Sequence, residues 1–480
     1  MQDNIRLHIT SSFDGESAGE IDLRLMKTLR VLEGRREVWL AETTATGRRV
    51  VAKRFLCGGK QGKESQREIH GLNELKERNI EGPSLLFVAT DGQEGIWVVT
   101  DYIEDSVDLS DVLVLGAKSS TMKEAVKSYA QTLILHWRNG VYQTDVHNKN
   151  YLWDGEVLYT VDVGSIRFRM GAVTRNARIT TLTKTCFKFT EEQWAVFLHA
   201  YDEMAESHGE KMLSAFMRTD TFRQRIERRK RKEMKRLWKK SQRTSSDFKV
   251  TRMKGIKLFS TRLVDSSLVD AVLQQPDSLL QQGTRLKSGN TCTVQLVEWG
   301  GIKYVVKRYN RKSLLYRIRH SFSTSRVIHS WATAIVLHRF RVRTPAVAIA
   351  CEFRKFGLPD RGYLIMEYVD GETLGNYMKA PSLAADERDA CIGATVDLFD
   401  RLYKYSIVHG DMKAKNLLVE GGKIWLIDID GTKLFLNGRK FIKSFEKDRR
   451  RFLMNWNEVP ELEADFDQAL SKSRKKSDVL

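Results

Sequence analysis

Thr144–Leu152 reads TDVHNKNYL, and Gly410–Leu418 reads GDMKAKNLL. Each places an asparagine five residues after an aspartate, Asp145 with Asn150 and Asp411 with Asn416. Downstream, YTVDVGSIRF (Tyr159–Phe168) and WLIDIDGTKLF (Trp425–Phe435) are apolar runs that end in a further aspartate, Asp162 and Asp428. Upstream, VVAKRF (Val50–Phe55) and YVVKRY (Tyr304–Tyr309) carry Lys53 and Lys307 on strand-like segments. The lysines lie 254 residues apart, and both aspartate pairs 266 apart. Three echoes in one order at near-constant spacing indicate a duplicated domain. A chain of 480 residues suits two domains, each of roughly 200–250 residues. We place them at 1–245 and 246–480.

Each repeat opens with strands and continues with helices. Thr28–Leu32 and Glu37–Glu42 form an expected hairpin turning at Gly34, with Arg49–Phe55 as the next strand. Ser65–Arg78 has helical spacing of Ile69, Leu72 and Leu75, Ile96–Tyr102 reads as a buried strand, and Lys123–Asn139 as a helix leading to Asp145. In the second repeat Thr291–Glu298, Lys303–Tyr309 and Gly362–Val369 read as strands and Ser325–Phe340 as a helix. The expected fold is α+β: two tandem protein-kinase-like domains, each with a small antiparallel-sheet N-lobe and a mainly helical C-lobe.

Those residue types in that order point to phosphoryl transfer from ATP. The chemistry needs a lysine on the phosphates, a carboxylate to place it, an aspartate to orient the attacking hydroxyl, and an Asn–Asp pair for magnesium. Lys53 with Glu68 on the next helix, Asp145, Asn150 and Asp162 supply the set in the first half. Asp162 precedes Gly164 in a D-V-G triplet, where protein kinases have D-F-G. His147 replaces the lysine of typical protein kinases, and Gln143 stands where their H-x-D histidine would be. The second half supplies Lys307, Asp411, Asn416 and Asp428, with His409 giving H-G-D and Lys413 in the place of His147. Its D-I-D offers Asp428 or Asp430 to a metal. The twelve-residue step from Asn416 favours Asp428, because it matches the step from Asn150 to Asp162. No acid stands where Glu68 would: Arg326–Trp331 is RVIHSW, with Ser330 or Trp331 at that place. Either Lys307 uses another acid or this half is weakened, and the first half, which alone retains the lysine–glutamate pair, is expected to be the better catalyst. A glycine-rich phosphate loop is also lacking. Only Gly34 and Gly289 occupy the hairpin turns, which leaves Arg35 and Arg36 to contribute, or a loose grip.

The two loops, YQTDVHNKNYL and VHGDMKAKNLLV with IDIDG, resemble the bacterial lipopolysaccharide core kinases that phosphorylate heptose or Kdo sugars. SRVIHSWATAIVLHRFRVRTPAV is similar to their SRA-x-x-x-W helix and following TP step, and KDRRRFLMNW (Lys447–Trp456) to their late D-x-x-R helix. The resemblance covers about Leu29–Phe168 and Thr284–Trp456. It implies a sugar hydroxyl of a lipid-linked inner-core oligosaccharide as acceptor, oriented by Asp145 and Asp411, with ATP and Mg2+ as cofactors. A pseudokinase scaffold for core assembly, or a kinase of proteins or aminoglycoside-like small molecules, fits the same residues.

The net charge is +19, and Arg223–Arg243 alone holds twelve Lys/Arg against two Glu. Phe222, Ile226, Met234, Leu237 and Trp238 space loosely along one face of that segment. A helix lying on an anionic membrane, a solvated helix, and an RNA contact are three readings of it. No nucleic-acid-binding module accompanies it, so nucleic acid is not expected. The 5 cysteines are scattered without a C-x-x-C pair, the start carries no signal-like pattern, and no apolar run of membrane-spanning length occurs. These features predict a cytoplasmic protein, peripheral on the membrane's inner face if the basic segment binds there.

Overall fold

The computed structural model describes residues 4–13, 19–32, 34–56, 61–92, 95–113, 119–208, 211–245, 247–288, 292–310, 324–434 and 438–479. The architecture is α+β with antiparallel sheets, and the chain divides into two compact units, Met1–Arg229 and Lys230–Leu480.

The first unit opens with a six-stranded closed barrel, in the order Asn4–Ser12, Glu20–Leu32, Arg36–Thr43, Arg49–Phe55, Ile96–Asp101, Leu85–Thr90. Closure comes from the first strand, which pairs with its hairpin partner (Leu7 opposite Ile21) and with the last strand (His8 opposite Thr90). Period-two alternation turns Leu7, Leu23, Ala41, Val50, Ala52, Phe87, Trp97 and Val99 into the barrel. The expected hairpin begins at Thr28, short of the strand Asn4–Ser12 that closes the sheet. Gly34 makes the expected turn with φ +69°, so that Leu32 faces Arg36. On Arg49–Phe55 the residues that do not enter the barrel, Lys53 and Phe55 among them, face the helix Gln61–Glu77. A helical remainder follows, centred on Ser120–Arg138, whose N-cap Ser119 Oγ accepts from Met122 N at 3.3 Å.

The second unit carries a seven-stranded sheet in the order Phe248–Met253, Ile256–Thr261, Val347–Lys355, Leu358–Glu367, Ile302–Tyr309, Cys292–Trp299, Thr284–Ser288. It stays open because two helices, Ser266–Gln274 and Pro276–Gln282, separate the strands that a barrel would join directly. Their Leu268, Val272, Leu279 and Leu280 cover the sheet face bearing Tyr304, Val306, Ile349 and Ile365. The opposite face, with Lys307 and Tyr309, meets the helix Arg326–Arg339. Trp331 of that helix is fully buried against Phe248 and Phe259, and its Nε1 donates to Ser241 O at 2.9 Å.

The basic segment folds as the helix Asp220–Lys240. Its apolar side chains are consumed within the protein. Phe222 and Ile226 join the first unit's helical core, while Met234 is buried and Trp238 packs edge-on against His329 in the second unit. The reading in which this helix lays an apolar face into a bilayer therefore lacks that face. What it presents outward is charge: Arg225, Arg228, Lys232, Lys235 and Lys239 are exposed.

Candidate active site

In the first unit, Lys53 on its strand forms an ion pair with Glu68 on the following helix. Glu68 is buried, and its second oxygen accepts from Gly164 N at 3.1 Å. A Cβ at Gly164 would lie 2.9 Å from that oxygen, so the glycine of D-V-G leaves room for the glutamate carboxylate as it is placed. The Asp145 loop is held by its own backbone and by Asn150. Asn150 Nδ2 donates to Asp145 O at 2.9 Å, Asn150 N to His147 O at 2.9 Å, and Val161 N to Asn150 O at 2.8 Å. Lys184 and Lys188, from the next helix and the turn that follows it, donate to the carbonyls of Thr144 and Val146 at 2.9 and 3.2 Å. Asp145 itself is exposed. Asp162 adopts a left-handed backbone (φ +57°) and leaves 40% of its side chain exposed.

The second unit repeats this loop bond for bond. Asn416 Nδ2 donates to Asp411 O at 2.9 Å, Asn416 N to Lys413 O at 2.9 Å, and Ile427 N to Asn416 O at 2.9 Å. Asp428 has the same left-handed backbone (φ +57°) and 39% side-chain exposure. His409 Nε2 lies 3.0 Å from Ile427 O and ties H-G-D to the strand before Asp428. In the first unit Gln143 instead accepts from Tyr151 OH at 2.7 Å.

The counter-charge of Lys307 is where the units differ. Its Nζ donates to Asp428 Oδ1 at 2.7 Å and to Asp430 Oδ2 at 2.9 Å. Asp430 also accepts from Tyr309 OH at 2.7 Å, Ser330 Oγ at 2.8 Å and Arg326 Nη2 at 2.9 Å. Burial pushes the Asp430 carboxyl up, but Lys307, Tyr309 and Arg326 outweigh it and hold the group below the usual carboxylate range. Lys307 moves the complementary way: burial lowers it, and Asp430 and Asp428 bring it above its ordinary value. The second unit thus has a buried acid for its lysine, delivered from the loop after Asp428 rather than from the helix. With four donor contacts already drawn to its neighbours, Asp430 serves Lys307 as a counter-ion, and Asp428 is the more exposed of the two carboxylates.

The late helix Gly438–Leu453 adds two groups. Asp448, buried, accepts from Gly410 N at 2.9 Å, and Arg451 Nη2 lies 2.8 Å from Asp411 Oδ1. One turn apart, Asp448 and Arg451 share a helix face, which the D-x-x-R spacing makes legible. Gly410 has φ +85°, and a Cβ there would meet Gly431 O at 2.7 Å, so this loop position needs glycine. Lys413 Nζ is 3.1 Å from Asp411 Oδ1. Burial raises the Asp411 carboxyl, yet the Lys413 hydrogen bond and the Arg451 charge hold it below its ordinary range. No ion pair reaches Asp145 among the described residues.

The glycine-poor phosphate loops are only partly visible, since Gly289 lies outside the described residues. In the first unit Arg35 is tied to Glu64. Arg36 is mostly buried over Phe55, with Nη1 3.9 Å from Asp162 and no hydrogen-bond partner for Nε among the described residues.

A sheet-borne lysine neutralised by a buried acid, beside a loop aspartate and an Asn–Asp pair, is the constellation of protein-kinase-like phosphotransferases. Residues 270–470 match the family model described as the lipopolysaccharide kinase (Kdo/WaaP) family, so that stretch is similar to this family. The match contains Lys307, Asp411, Asn416, Asp428 and Asp430. The curated proteins include no match to the chain.

Proposed function

We propose that the chain is an ATP- and magnesium-dependent kinase that phosphorylates a sugar hydroxyl of the lipopolysaccharide inner core, with its two units as tandem kinase-like domains. The observation that carries this reading is the repeated loop geometry around Asp145/Asn150 and Asp411/Asn416. In each unit the asparagine spends its amide donors on the aspartate's carbonyl, which leaves its side-chain oxygen to face a metal beside Asp162 or Asp428. Both donor sets are oxygen-only, as Mg2+ requires, and two protein ligands plus phosphate oxygens suffice for that ion. Lys53 and Lys307 would hold the α/β-phosphates, Glu68 and Asp430 would place those lysines, and Arg36 would supply charge where a glycine-rich loop is lacking. Asp145 and Asp411 would orient the acceptor hydroxyl. Bound magnesium would neutralise charge between the phosphates; the positioning belongs to the side chains named.

The family match over residues 270–470 supports a core sugar as acceptor, which would make the substrate a lipid-linked oligosaccharide. The exposed basic side chains of Asp220–Lys240 are proposed to face anionic head groups, by charge alone. Among the described residues no helix is long and apolar enough to cross a membrane. Incubating purified protein with Mg-ATP and dephosphorylated core glycolipid tests the reading. Phosphate on the core sugar, lost when Asp145→Ala and Asp411→Ala are combined, is the expected result. Unmodified glycolipid, or phosphate appearing only on protein or an aminoglycoside, rejects it.

A further inference from the structure

Two hairpin tips of the second unit's sheet lie side by side. Phe248–Met253 turns into Ile256–Thr261 through Lys254 and Gly255, and Val347–Lys355 turns into Leu358–Glu367 through Phe356 and Gly357. Arg354 N donates to Gly255 O at 2.7 Å, and Ile256 pairs with Phe353, which fixes the two turns together.

Their composition is unusual for hairpin ends. Phe356 is 93% exposed and holds a left-handed backbone (φ +54°), a conformation that bulky side chains rarely adopt. Met253 is 56% exposed on the neighbouring tip. Neither side chain contributes to the core, and asparagine or glycine would suit the Phe356 position better. Around them stand Arg252, Lys254 and Lys355, all exposed, with Lys257 and Arg354 behind. Glu352, paired to Arg354 at 3.0 Å, and Asp360, beside Arg361, are the acids flanking the second turn. The positive charge is crowded rather than balanced. Burial, Arg252 and Arg354 together lower Lys257, against a smaller opposing pull from Glu352.

We propose that these tips form a docking wedge for a bilayer containing anionic lipid, with Phe356 and Met253 entering the head-group boundary and the basic ring facing lipid phosphates. Exposed aromatic and methionine side chains inside a cationic ring are complementary to an interface that is apolar below and negative above. A soluble acidic partner would use the ring and have no use for a strained, projecting phenylalanine. The surface stands apart from phosphotransfer. Phe356 is eight residues along from Leu364, which pairs with Lys307, a separation of roughly 25 Å at the usual strand rise. The inference therefore holds or fails independently of the proposed reaction.

Co-sedimentation of the full chain with vesicles tests it, using phosphatidylcholine alone and phosphatidylcholine with about a third phosphatidylglycerol. Wild-type protein is expected on the mixed vesicles and not on the neutral ones. Phe356→Ser with Met253→Ser should lower partitioning roughly tenfold or more, with an unchanged melting curve. Lys254→Glu with Lys355→Glu should lower it by at least the roughly fivefold per charge that each basic group is worth near such a surface. Lys232→Glu with Lys235→Glu on the basic helix separates the two candidate surfaces. Loss of binding in that variant alone, with the tip variants unaffected, overturns the proposal. So does a loss caused by the charge changes but not by the apolar ones, which would mark electrostatic adsorption without insertion. Absence of wild-type binding to the mixed vesicles overturns it as well.

Discussion

Ser330 Oγ donates to Asp430 Oδ1 across 2.8 Å, in the place where the first unit sets Glu68 against the amide of Gly164. Both units put one largely buried acid between the facing helix and the loop after Asp162 or Asp428, and each feeds it to the sheet lysine. The acid and the small residue have exchanged positions. Glutamate on the helix goes with glycine in the loop, where a Cβ would crowd its carboxylate. Aspartate in the loop requires a small residue on the helix, and serine adds a hydrogen bond.

This exchange predicts that Asp430→Ala destabilises the second unit by about 3 kcal/mol, the usual cost of stranding one partner of a buried pair. Adding Ser330→Glu to Asp430→Gly should recover much of that loss by rebuilding the first unit's arrangement. Denaturant unfolding of the three variants measures it. An Asp430→Ala protein as stable as the parent, with nucleotide affinity intact, would rule the counter-charge role out.

A second prediction concerns Arg451. Lys413 and Arg451 hold the Asp411 carboxyl below its ordinary range against the effect of burial. Removing one cation with Arg451→Met should raise that value, so the protonated, inactive form persists to higher pH. The acid limb of the rate profile should therefore move upward, by up to about one pH unit at this partly exposed site. An Asp145→Ala background isolates the second unit for the measurement. A limb that stays in place, or moves to lower pH, removes Arg451 from this role.

The strands and helices that carry the site were legible because their signals are local. Arg49–Phe55 and Ile302–Tyr309 are β-rich runs bearing one lysine, and Ser120–Arg138 has a helical apolar stripe. The barrel-closing strand Asn4–Ser12 was not, since Ile5, Leu7 and Ile9 alternate in a polar segment, and the strand it closes the barrel against lies some eighty residues away. The same limit hid the partner of Lys307. The sequence points to the helix for an acid, where the first unit has it, whereas Asp430 is 123 residues from Lys307 in sequence. D-I-D announced two carboxylates but not their division of labour, which burial and neighbouring donors decide. The expectation of a weakened second unit rested on that missing partner and loses its premise. Lys184 and Lys188 had no signal at all, because their targets are backbone carbonyls.

Arg36 offers a third prediction. Its guanidinium is mostly buried beside Asp162, with Nε unpartnered among the described residues. As a substitute for backbone amides on the phosphates, it should be worth a charge-assisted hydrogen bond, about 1.5–3 kcal/mol. Arg36→Ala in a Lys307→Ala background should weaken ATP binding by roughly tenfold or more, while Arg35→Ala, which only frees Glu64, should change it little. Equal effects from the two substitutions would mean that general charge, not placement, is responsible.

The last prediction is about stability and pH. His136, fully buried in the first unit's helix Ser120–Arg138, sits 3.1 Å from Thr160 Oγ1, and burial lowers its pKa to about 4. An unfolded histidine titrates near 6.5. The unfolded state therefore takes up a proton at a higher pH than the folded state does. The stability this group contributes is fully present above about pH 6.5 and is lost as pH falls through the window down to about 4, by about 3 kcal/mol in all. Carboxylates add their own slope at the lower end, so the comparison must be between proteins. His136→Gln keeps a polar partner for Thr160 without a group that charges in this range. Its unfolding midpoint should change less between pH 7 and pH 5 than that of the parent, even though it starts lower at pH 7. Parallel pH dependence in the two proteins would show that His136 titrates normally, and its burial as a neutral group would have to be given up.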